Sequence, residues 1–393
     1  MQPQRIGLTA FITLLATVST PLSINLSASF AGSQVLAQTP NTREVRTAAV
    51  QVPANLLAKD KSNKFDYWFN LGKSLLDKQK YAEALEAYNQ AVQINPNSES
   101  AWQNRGNALY NLNRYEEAIA SYDRVIAINP NSDDAWVGRG NALDDSGKPQ
   151  EALTAYDRAI ALNPNSEWAW YNRGVTLNRL KRYEEALAAY DRAIAINPNN
   201  DDTWVSRGNA LDDSGKPQEA LTAYDRAIAL NPNSAWTWYN RGVTLERLKR
   251  EEEAIASYDW AISINADYTA AWYGRGRALE TLERYQEAIA CFDQVIRLNP
   301  DSESAWFRRG LAAGTLERTQ EAFDAFDRVT RLNPKNEAGW YNRALALWRL
   351  KQYKEALNSF EEVVRINPDN TDAQANIKRL QQQLKQQQAA SVA

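Results

Sequence analysis

The side chains of this sequence that could carry chemistry are carboxylates, arginines and aromatic rings. Histidine is absent and cysteine occurs once, at Cys291, which excludes imidazole acid–base chemistry, Cys/His metal sites and an internal disulfide. Two adjacent acid pairs, Asp144-Asp145 and Asp212-Asp213, could carry carboxylate chemistry. Paired carboxylates could support glycoside hydrolysis or bind calcium, but the Ser-Gly-Lys after each pair lacks the alternating acids of a cation loop. We therefore expect no metal and no cofactor.

Arginines recur at a fixed spacing, and each is followed by an acid eighteen positions later. The arginines are Arg105, Arg139, Arg173, Arg207, Arg241, Arg275, Arg309 and Arg343, and the acids are Asp123, Asp157, Asp191, Asp225, Asp259, Asp293, Asp327 and Glu361. At the start of the series both charges are missing together, because Leu71 and Asn89 take these places. An arginine that paired with the preceding acid would leave Arg105 facing Asn89. We therefore predict a partly buried pair between each arginine and the acid after it, which fixes the register of two helices.

The elements that position these residues are repeated units that begin every thirty-four positions. Asn-Pro pairs mark the period at 95, 129, 163, 197, 231, 299, 333 and 367. Tryptophan follows the same period at Trp68, Trp102, Trp136, Trp170, Trp204, Trp238, Trp272, Trp306 and Trp340. The repeats predicted from this period are 65–98, 99–132, 133–166, 167–200, 201–234, 235–268, 269–302, 303–336 and 337–370.

The repeats resemble the tetratricopeptide repeat, a helical hairpin of the same length. In the second repeat the matching residues are Trp102, Gly106, Leu109, Tyr115, Ala118, Tyr122 and Pro130. The resemblance covers residues 65–370 and implies an all-α fold, a right-handed superhelix (α-solenoid) of nine helix-turn-helix repeats. The hydrophobic periodicity independently predicts two helices per repeat, for example over 101–112 and 115–128. Because stacked repeats leave their last face open, we expect residues 371–393 to supply a capping helix, with Ile377, Leu380 and Leu384 on one side, and a tail.

The segment before residue 65 differs from the repeats. Arg5 is the only charge before residue 43, and an apolar run over 6–18 is too short to span a membrane. Val35 and Ala37 form a small-residue cleavage site, so we interpret residues 1–37 as a secretory signal peptide and 38–64 as a flexible linker. This predicts an exported protein, periplasmic or extracellular, without a stable membrane span after cleavage; an uncleaved N-terminal membrane anchor is the alternative.

The resemblance also implies where a ligand binds. In the proteins that this chain resembles, the first helices line a concave groove through the second, fifth, ninth, twelfth and thirteenth positions of each repeat. In the third and fifth repeats these positions hold mainly acids, namely Asp134, Val137, Asn141, Asp144, Asp145 and Asp202, Val205, Asn209, Asp212, Asp213. In the fourth and sixth they include aromatic rings, namely Trp168, Tyr171, Val175, Asn178, Arg179 and Trp236, Tyr239, Val243, Glu246, Arg247. We expect the aromatic residues to anchor a partner and the acids to favour a cationic one, although the same residues could be packing and solvated side chains.

These observations favour a binding scaffold over an enzyme. The repeats and their capping helix use all residues after 64, which leaves no catalytic domain, and a net charge of −3 offers no basic surface to nucleic acid. No repeat has lysine at its fifth position, which argues against the carboxylate clamp of some family members. We expect a monomer that binds a protein or peptide partner in the groove, for example as an assembly factor. The alternative is a structural, self-assembling solenoid of the cell envelope.

Overall fold

The structure is a computed structural model that describes residues 60–392, and every regular element in this range is an α-helix. The all-α solenoid prediction is therefore confirmed. The chain divides into two compact units. Within residues 60–232 the helices are α1 Lys61–Asp77, α2 Tyr81–Ile94, α3 Glu99–Asn111, α4 Tyr115–Ile128, α5 Asp133–Asp145, α6 Pro149–Leu162, α7 Glu167–Arg179, α8 Tyr183–Ile196, α9 Asp201–Asp213 and α10 Pro217–Leu230. Within residues 233–392 they are α11 Ala235–Arg247, α12 Glu251–Ile264, α13 Thr269–Thr281, α14 Tyr285–Leu298, α15 Glu303–Thr315, α16 Thr319–Leu332, α17 Glu337–Arg349, α18 Tyr353–Ile366 and α19 Thr371–Val392.

Each repeat is a hairpin whose helix ends are determined by local hydrogen bonds. Before α3, the hydroxyl of Ser98 accepts the backbone N–H of Ala101 at 3.3 Å. After α4, Asn129 adopts extended backbone and its side-chain oxygen accepts the N–H of Asn131 at 3.1 Å. Pro130 has no N–H and cannot continue the helix. The helices predicted over 101–112 and 115–128 are thereby confirmed.

The core of each hairpin is an aromatic ring on the second helix packed against a small residue on the first. Tyr122 is 2% exposed, and a Cβ placed on Gly106 would lie 2.6 Å from its ring. No side chain larger than hydrogen fits there without displacing the ring. The same aromatic position is buried in every described repeat, as Tyr88, Tyr122, Tyr156, Tyr190, Tyr224, Tyr258, Phe292, Phe326 and Phe360.

The periodic tryptophans bind the turn that joins consecutive repeats. The indole N–H of Trp102 donates to the Pro96 carbonyl at 2.9 Å, and that of Trp170 donates to the Pro164 carbonyl at 3.0 Å. In the repeat that follows the turn without proline, Trp272 makes the same bond to the Ala266 carbonyl. These tryptophans are therefore structural, since each satisfies a carbonyl that the ended helix leaves open.

The predicted partner of the periodic arginines is wrong. Each arginine of the pairs below binds the acid on the second helix of the preceding repeat, and not the acid that follows it in its own repeat. The pairs are Arg139–Asp123, Arg173–Asp157, Arg207–Asp191, Arg275–Asp259, Arg309–Asp293 and Arg343–Asp327, at 2.6 to 2.9 Å. Arg105 does face Asn89, and its Nε donates to the amide oxygen at 2.8 Å.

The cause is the position of the first helix between two second helices. In the last repeat Arg343 Nε donates to Asp327 of the preceding repeat at 2.9 Å, while its Nη1 donates to Ser359 of its own repeat at 2.6 Å. One side chain thus joins three helices. In the repeats before it, the acid of the same repeat faces the next repeat instead, so the ion pair links consecutive repeats and does not form within a hairpin.

The first helix begins earlier than predicted, whereas the last helix begins where it was expected. The structure starts α1 at Lys61, capped by the Asp60 carboxylate, so residues 61–64 belong to the first helix and not to the predicted linker. The rest of that linker and the predicted signal peptide lie outside the described residues. At the other end α19 begins at Thr371 and buries Leu380 against Phe360 and its neighbours. No helix within residues 60–392 has the length and apolar character needed to cross a bilayer.

Candidate functional site

The groove positions of repeats two to five form one continuous surface, which we call the first-helix face. Within residues 60–232, each first helix contacts the next, from α3 to α5, α7 and α9. Side chains bridge these helices: Asn172 donates to Asn141 at 2.9 Å, and the hydroxyls of Tyr171 and Ser206 lie 3.4 Å apart. The face is therefore rigidly supported at its centre.

The asparagines predicted to contact a ligand are engaged by core tyrosines. Tyr156 donates its hydroxyl to the Asn141 side-chain oxygen at 2.8 Å, and Tyr224 donates to Asn209 at 2.8 Å. Each tyrosine is about 1% exposed, and this bond satisfies the only polar atom of its ring. Asn141 and Asn209 thus support the core, which limits what they can offer to a ligand.

The acids at the twelfth and thirteenth positions have partners inside the protein. Asp144 is 8% exposed and pairs with the guanidinium of Arg179, which also donates to the Asp144 carbonyl at 3.1 Å. Burial raises the pKa of the Asp144 carboxyl, and the nearby Arg179 opposes that change. Asp145 accepts the hydroxyl of Tyr110. The predicted ligand contacts Asp144 and Arg179 therefore bind each other, and Asp212 is likewise 8% exposed.

Two predicted acids remain at the surface. Asp134 in α5 and Asp202 in α9 are exposed near the start of their helices. Partial burial raises the pKa of both carboxyls above the ordinary value of 3.8, helped by the adjacent charges of Asp133 and Asp201. Both carboxyl groups are exposed and can interact with a cation.

The two aromatic residues predicted in the fourth repeat differ in exposure. Trp168 is 58% exposed, whereas Tyr171 is only 8% exposed. The two rings meet edge to face with centroids 5.9 Å apart, and Tyr171 packs in turn on Tyr190 at 6.2 Å. Tyr171 is a support, and Trp168 is the ring that a partner can reach.

A small cavity opens on this face between α7 and α9. Its volume is about 40 Å³ and it is lined by Val175, Asn178, Tyr190, Ser206 and Asn209. The side-chain oxygen of Asn178 is buried there and has no hydrogen-bond partner within the described residues. An unsatisfied buried acceptor costs free energy, so this oxygen favours a ligand group that donates a hydrogen bond.

The predicted residues of the sixth repeat lie in the second unit. Trp236 and Tyr239 are half-buried, and their rings lie 6.0 Å apart. Tyr239 also packs on Tyr268 at 5.2 Å and on Tyr258 at 5.9 Å. These contacts make both residues mainly parts of an aromatic cluster, while Arg247 is exposed.

Sequence reasoning missed a chain of alternating charges in the second unit. Arg277 lies 3.5 Å from Glu246, and Arg308 lies 2.7 Å from Glu280 and donates to the Tyr273 hydroxyl at 3.0 Å. Burial raises the pKa of the Glu246 and Glu280 carboxyls, and the arginines oppose this. This series of ion pairs links three successive repeats.

The five groove positions of repeats six to nine include most residues of these ion pairs and also an apolar region. Repeats eight and nine carry Phe307, Leu311, Leu345 and Trp348 at these positions, all partly buried. In the region that the structure describes there is no group of three or more potential metal ligands. The groove positions of the described repeats therefore offer a ligand aromatic rings, charged side chains and hydrogen-bonding groups.

Sequence models of one family match most of the chain. A model described as tetratricopeptide repeat matches residues 45–99, 69–133, 104–167, 137–201, 252–303, 273–337 and 307–371. Two further models, described as TPR repeat and tetratricopeptide repeat, match residues 208–249 and 189–222. No curated protein matches the chain.

Several solved structures are similar to it. The crystal structure of YrrB, a TPR protein with an unusual peptide-binding site, is 27% identical, covers 48% of this chain and 96% of its own, and has a TM-score of 0.40. Pseudomonas aeruginosa pilF is 21% identical over 51% of this chain and 92% of its own, with a TM-score of 0.46. A tetratricopeptide repeat protein from Parabacteroides merdae is 17% identical over 64% of this chain and 99% of its own, with a TM-score of 0.46.

Proposed function

Because the chain belongs to the tetratricopeptide-repeat family, we propose that it is a non-catalytic scaffold that binds a peptide segment of a partner protein on the first-helix face of repeats two to five. The observation that carries this proposal is Trp168, a large ring left 58% exposed on a face whose other aromatic residues are packed. Aromatic residues at such places bury much apolar area on binding and lose few rotamers.

Trp168 is held ready for a partner. Its ring contacts the edge of Tyr171, and Tyr171 is fixed by Tyr190 and by Ser206. A side chain that is already positioned loses little entropy on binding, which raises affinity without additional contacts. Binding then requires little change in the backbone.

The charge of the partner follows from the two exposed acids. Asp134 and Asp202 lie on first helices on either side of α7, the helix that carries Trp168. Their charges attract a basic segment and repel an acidic one, which gives specificity and faster association. The unsatisfied Asn178 oxygen favours a hydrogen-bond donor in the same region, such as a peptide N–H or a lysine ammonium.

Affinity capture with the full chain tests the proposal. We expect a protein retained by the native chain to be lost with Trp168→Ala and weakened with Asp134→Asn and Asp202→Asn together. Trp260→Ala is the matched control, because Trp260 is 57% exposed but lies on the second helix α12 of another repeat. Equal retention by the native chain and Trp168→Ala, or equal loss with both tryptophan variants, would contradict the site.

We also propose that the chain is exported after removal of residues 1–37. The short apolar run over 6–18 and the Val35 and Ala37 site support this. Mass spectrometry of the protein from fractionated cells should find a new N-terminus at Gln38 in the envelope or secreted fraction. A protein that keeps Met1 and stays in the cytosol would contradict export, and one that keeps Met1 in the membrane fraction would favour the uncleaved anchor.

A further inference from the structure

An open cleft lies in the fourth repeat, away from the first-helix face. Its volume is about 700 Å³ and it is lined by Pro164, Asn165, Trp170, Arg192, Ala195 and Ile196. The first two residues belong to the turn before α7, Trp170 lies in α7, and the last three lie at the end of α8. None of the six occupies a groove position, so the cleft is a separate surface of the same unit.

The lining combines apolar walls with one cation. Trp170, Pro164, Ala195 and Ile196 present rings and aliphatic groups, and no lining residue is acidic. Arg192 is exposed, and its guanidinium has no hydrogen bond or ion pair among residues 60–392. The cleft therefore offers an apolar surface beside one cation that has no partner among the described residues.

The walls of the cleft are already fixed. The Trp170 indole N–H donates to the Pro164 carbonyl at 3.0 Å. The preceding Asn163 accepts the N–H of Asn165 at 3.1 Å and donates to Asp133 at 2.7 Å. The turn therefore stays in place when a ligand enters, and only the Arg192 side chain must be ordered.

The equivalent space is filled in two other repeats, the second and the sixth. In the second repeat Arg124, at the position of Arg192, lies over the Trp102 ring at 5.7 Å. In the sixth repeat Trp260 takes this position and stacks on Trp238, with centroids 5.6 Å apart and planes 18° apart. These contacts show that a side chain at the Arg192 position can reach the Trp170 ring, while in the fourth repeat the space between them is open.

We propose that this cleft binds an acidic peptide segment in which a glutamate or aspartate lies next to an aromatic residue. The Arg192 guanidinium can donate two parallel hydrogen bonds to a side-chain carboxylate. The neighbouring aromatic ring packs against Trp170 and the apolar end of α8. This ligand has the opposite charge to the basic segment proposed for the first-helix face, so the two proposals stand independently.

Matched peptides test the charge requirement on the full chain. The probes are acetyl-Gly-Phe-Glu-Gly-amide and its Gln counterpart, with binding followed by ligand-observed NMR. We expect the Glu peptide to bind about tenfold more tightly, because it makes charge-assisted hydrogen bonds that the Gln peptide lacks. Arg192→Gln should remove the difference, and Arg192→Trp should abolish binding of both, since it reproduces the filled arrangement of Trp260 and Trp238.

Arg124→Gln is the matched control, because Arg124 occupies the same position in the second repeat, where its guanidinium already lies over the Trp102 ring. It should leave the preference for the Glu peptide unchanged, and circular dichroism should show native helicity in all variants. Equal binding of the two peptides, a loss with Arg124→Gln as large as with Arg192→Gln, or full binding by Arg192→Trp would each overturn the proposal. Binding of 3-phenylpropionate as tight as that of the Glu peptide would overturn the assignment to a peptide and indicate a small-molecule site.

Discussion

Arg173 and Asp157 are the residues at which the link between repeats can be measured most directly. Their side chains are 21% and 57% exposed and 2.7 Å apart, whereas Asp191, the acid in the same repeat as Arg173, pairs with Arg207. A double-mutant cycle of Arg173→Ala and Asp157→Asn should give a coupling of about 0.5 kcal/mol in urea unfolding, as for other partly exposed pairs. The same cycle with Asp191→Asn should give none. A larger coupling of Arg173 to Asp191 would contradict this and would support an ion pair within the hairpin.

The exposed aspartates predict how binding responds to pH. Because the pKa of Asp134 and of Asp202 is raised above 3.8 in the folded protein, both lose their charge at a higher pH than an ordinary aspartate. Affinity for a basic peptide on the first-helix face should therefore fall on acidification, and the fall should begin at a higher pH than for ordinary aspartates. Titrations of acetyl-Lys-Phe-Lys-amide from neutral to acidic pH measure this. Asp134→Asn with Asp202→Asn should flatten the profile; an affinity that rises on acidification would contradict the role of these acids.

The short turn within each hairpin has one residue in the left-handed conformation, which is glycine in some repeats and carries a side chain in the others. In most repeats a residue with a side chain takes the left-handed conformation, for example Lys181 at φ 58°, whereas repeats three and five have Gly147 and Gly215 at φ 84° and 82°. Glycine adopts this conformation without the steric cost that other residues have.

Exchanging these residues tests that cost. Lys181→Gly should raise the free energy of unfolding by about 0.5 to 1 kcal/mol, and Gly147→Ala should lower it by about 1 kcal/mol. A Cβ on Gly147 has no neighbour within 4 Å, so the backbone conformation alone determines the second result. Unchanged thermal unfolding in both variants would show that the turns carry no such strain.

The helices could be predicted from the sequence because each signal is local. Asn129-Pro130 ends a helix by its own chemistry, and the apolar period of 115–128 is visible without neighbours. The arginine partner could not be predicted in the same way. The acid before Arg173 and the acid after it, Asp157 and Asp191, are separated by the length of one repeat, so the periodic pattern cannot distinguish them.

The candidate site was predictable only as a set of positions. Asn141, Asp144 and Arg179 lie on the face where the resemblance put them, yet each is used by another side chain of the protein. Whether a polar residue serves the core or a ligand depends on contacts between repeats, which the sequence does not display. Exposure distinguishes Trp168 from Tyr171, two aromatic residues three positions apart.

At the scale of the whole molecule, each repeat is stabilised by its neighbours, and the last repeat is stabilised by α19. Leu380 is fully buried against the last hairpin, so Leu380→Ala should lower the free energy of unfolding of that region by about 2 to 4 kcal/mol. Because each repeat contacts only its neighbours, hydrogen exchange should increase in 337–388 and remain unchanged in 60–232. Gln381→Ala, at an exposed position, is the control. Faster exchange throughout the chain would show that the array unfolds as one unit.

Because the periodic arginines bind the preceding repeat, the contacts between consecutive repeats are interchangeable. If residues 167–200 were deleted, Arg207 would take the place of Arg173 and meet Asp157, an acid of the same kind at the same offset. Unequal recombination in steps of one whole repeat therefore yields shorter or longer chains in which no charge is orphaned at the new junction. The near identity of 133–166 and 201–234, which lie two repeats apart and differ only at Ala135/Thr203 and Gly138/Ser206, indicates that two repeats were copied together. Whole repeats can thus be gained or lost while the ion pairs between neighbouring repeats are kept.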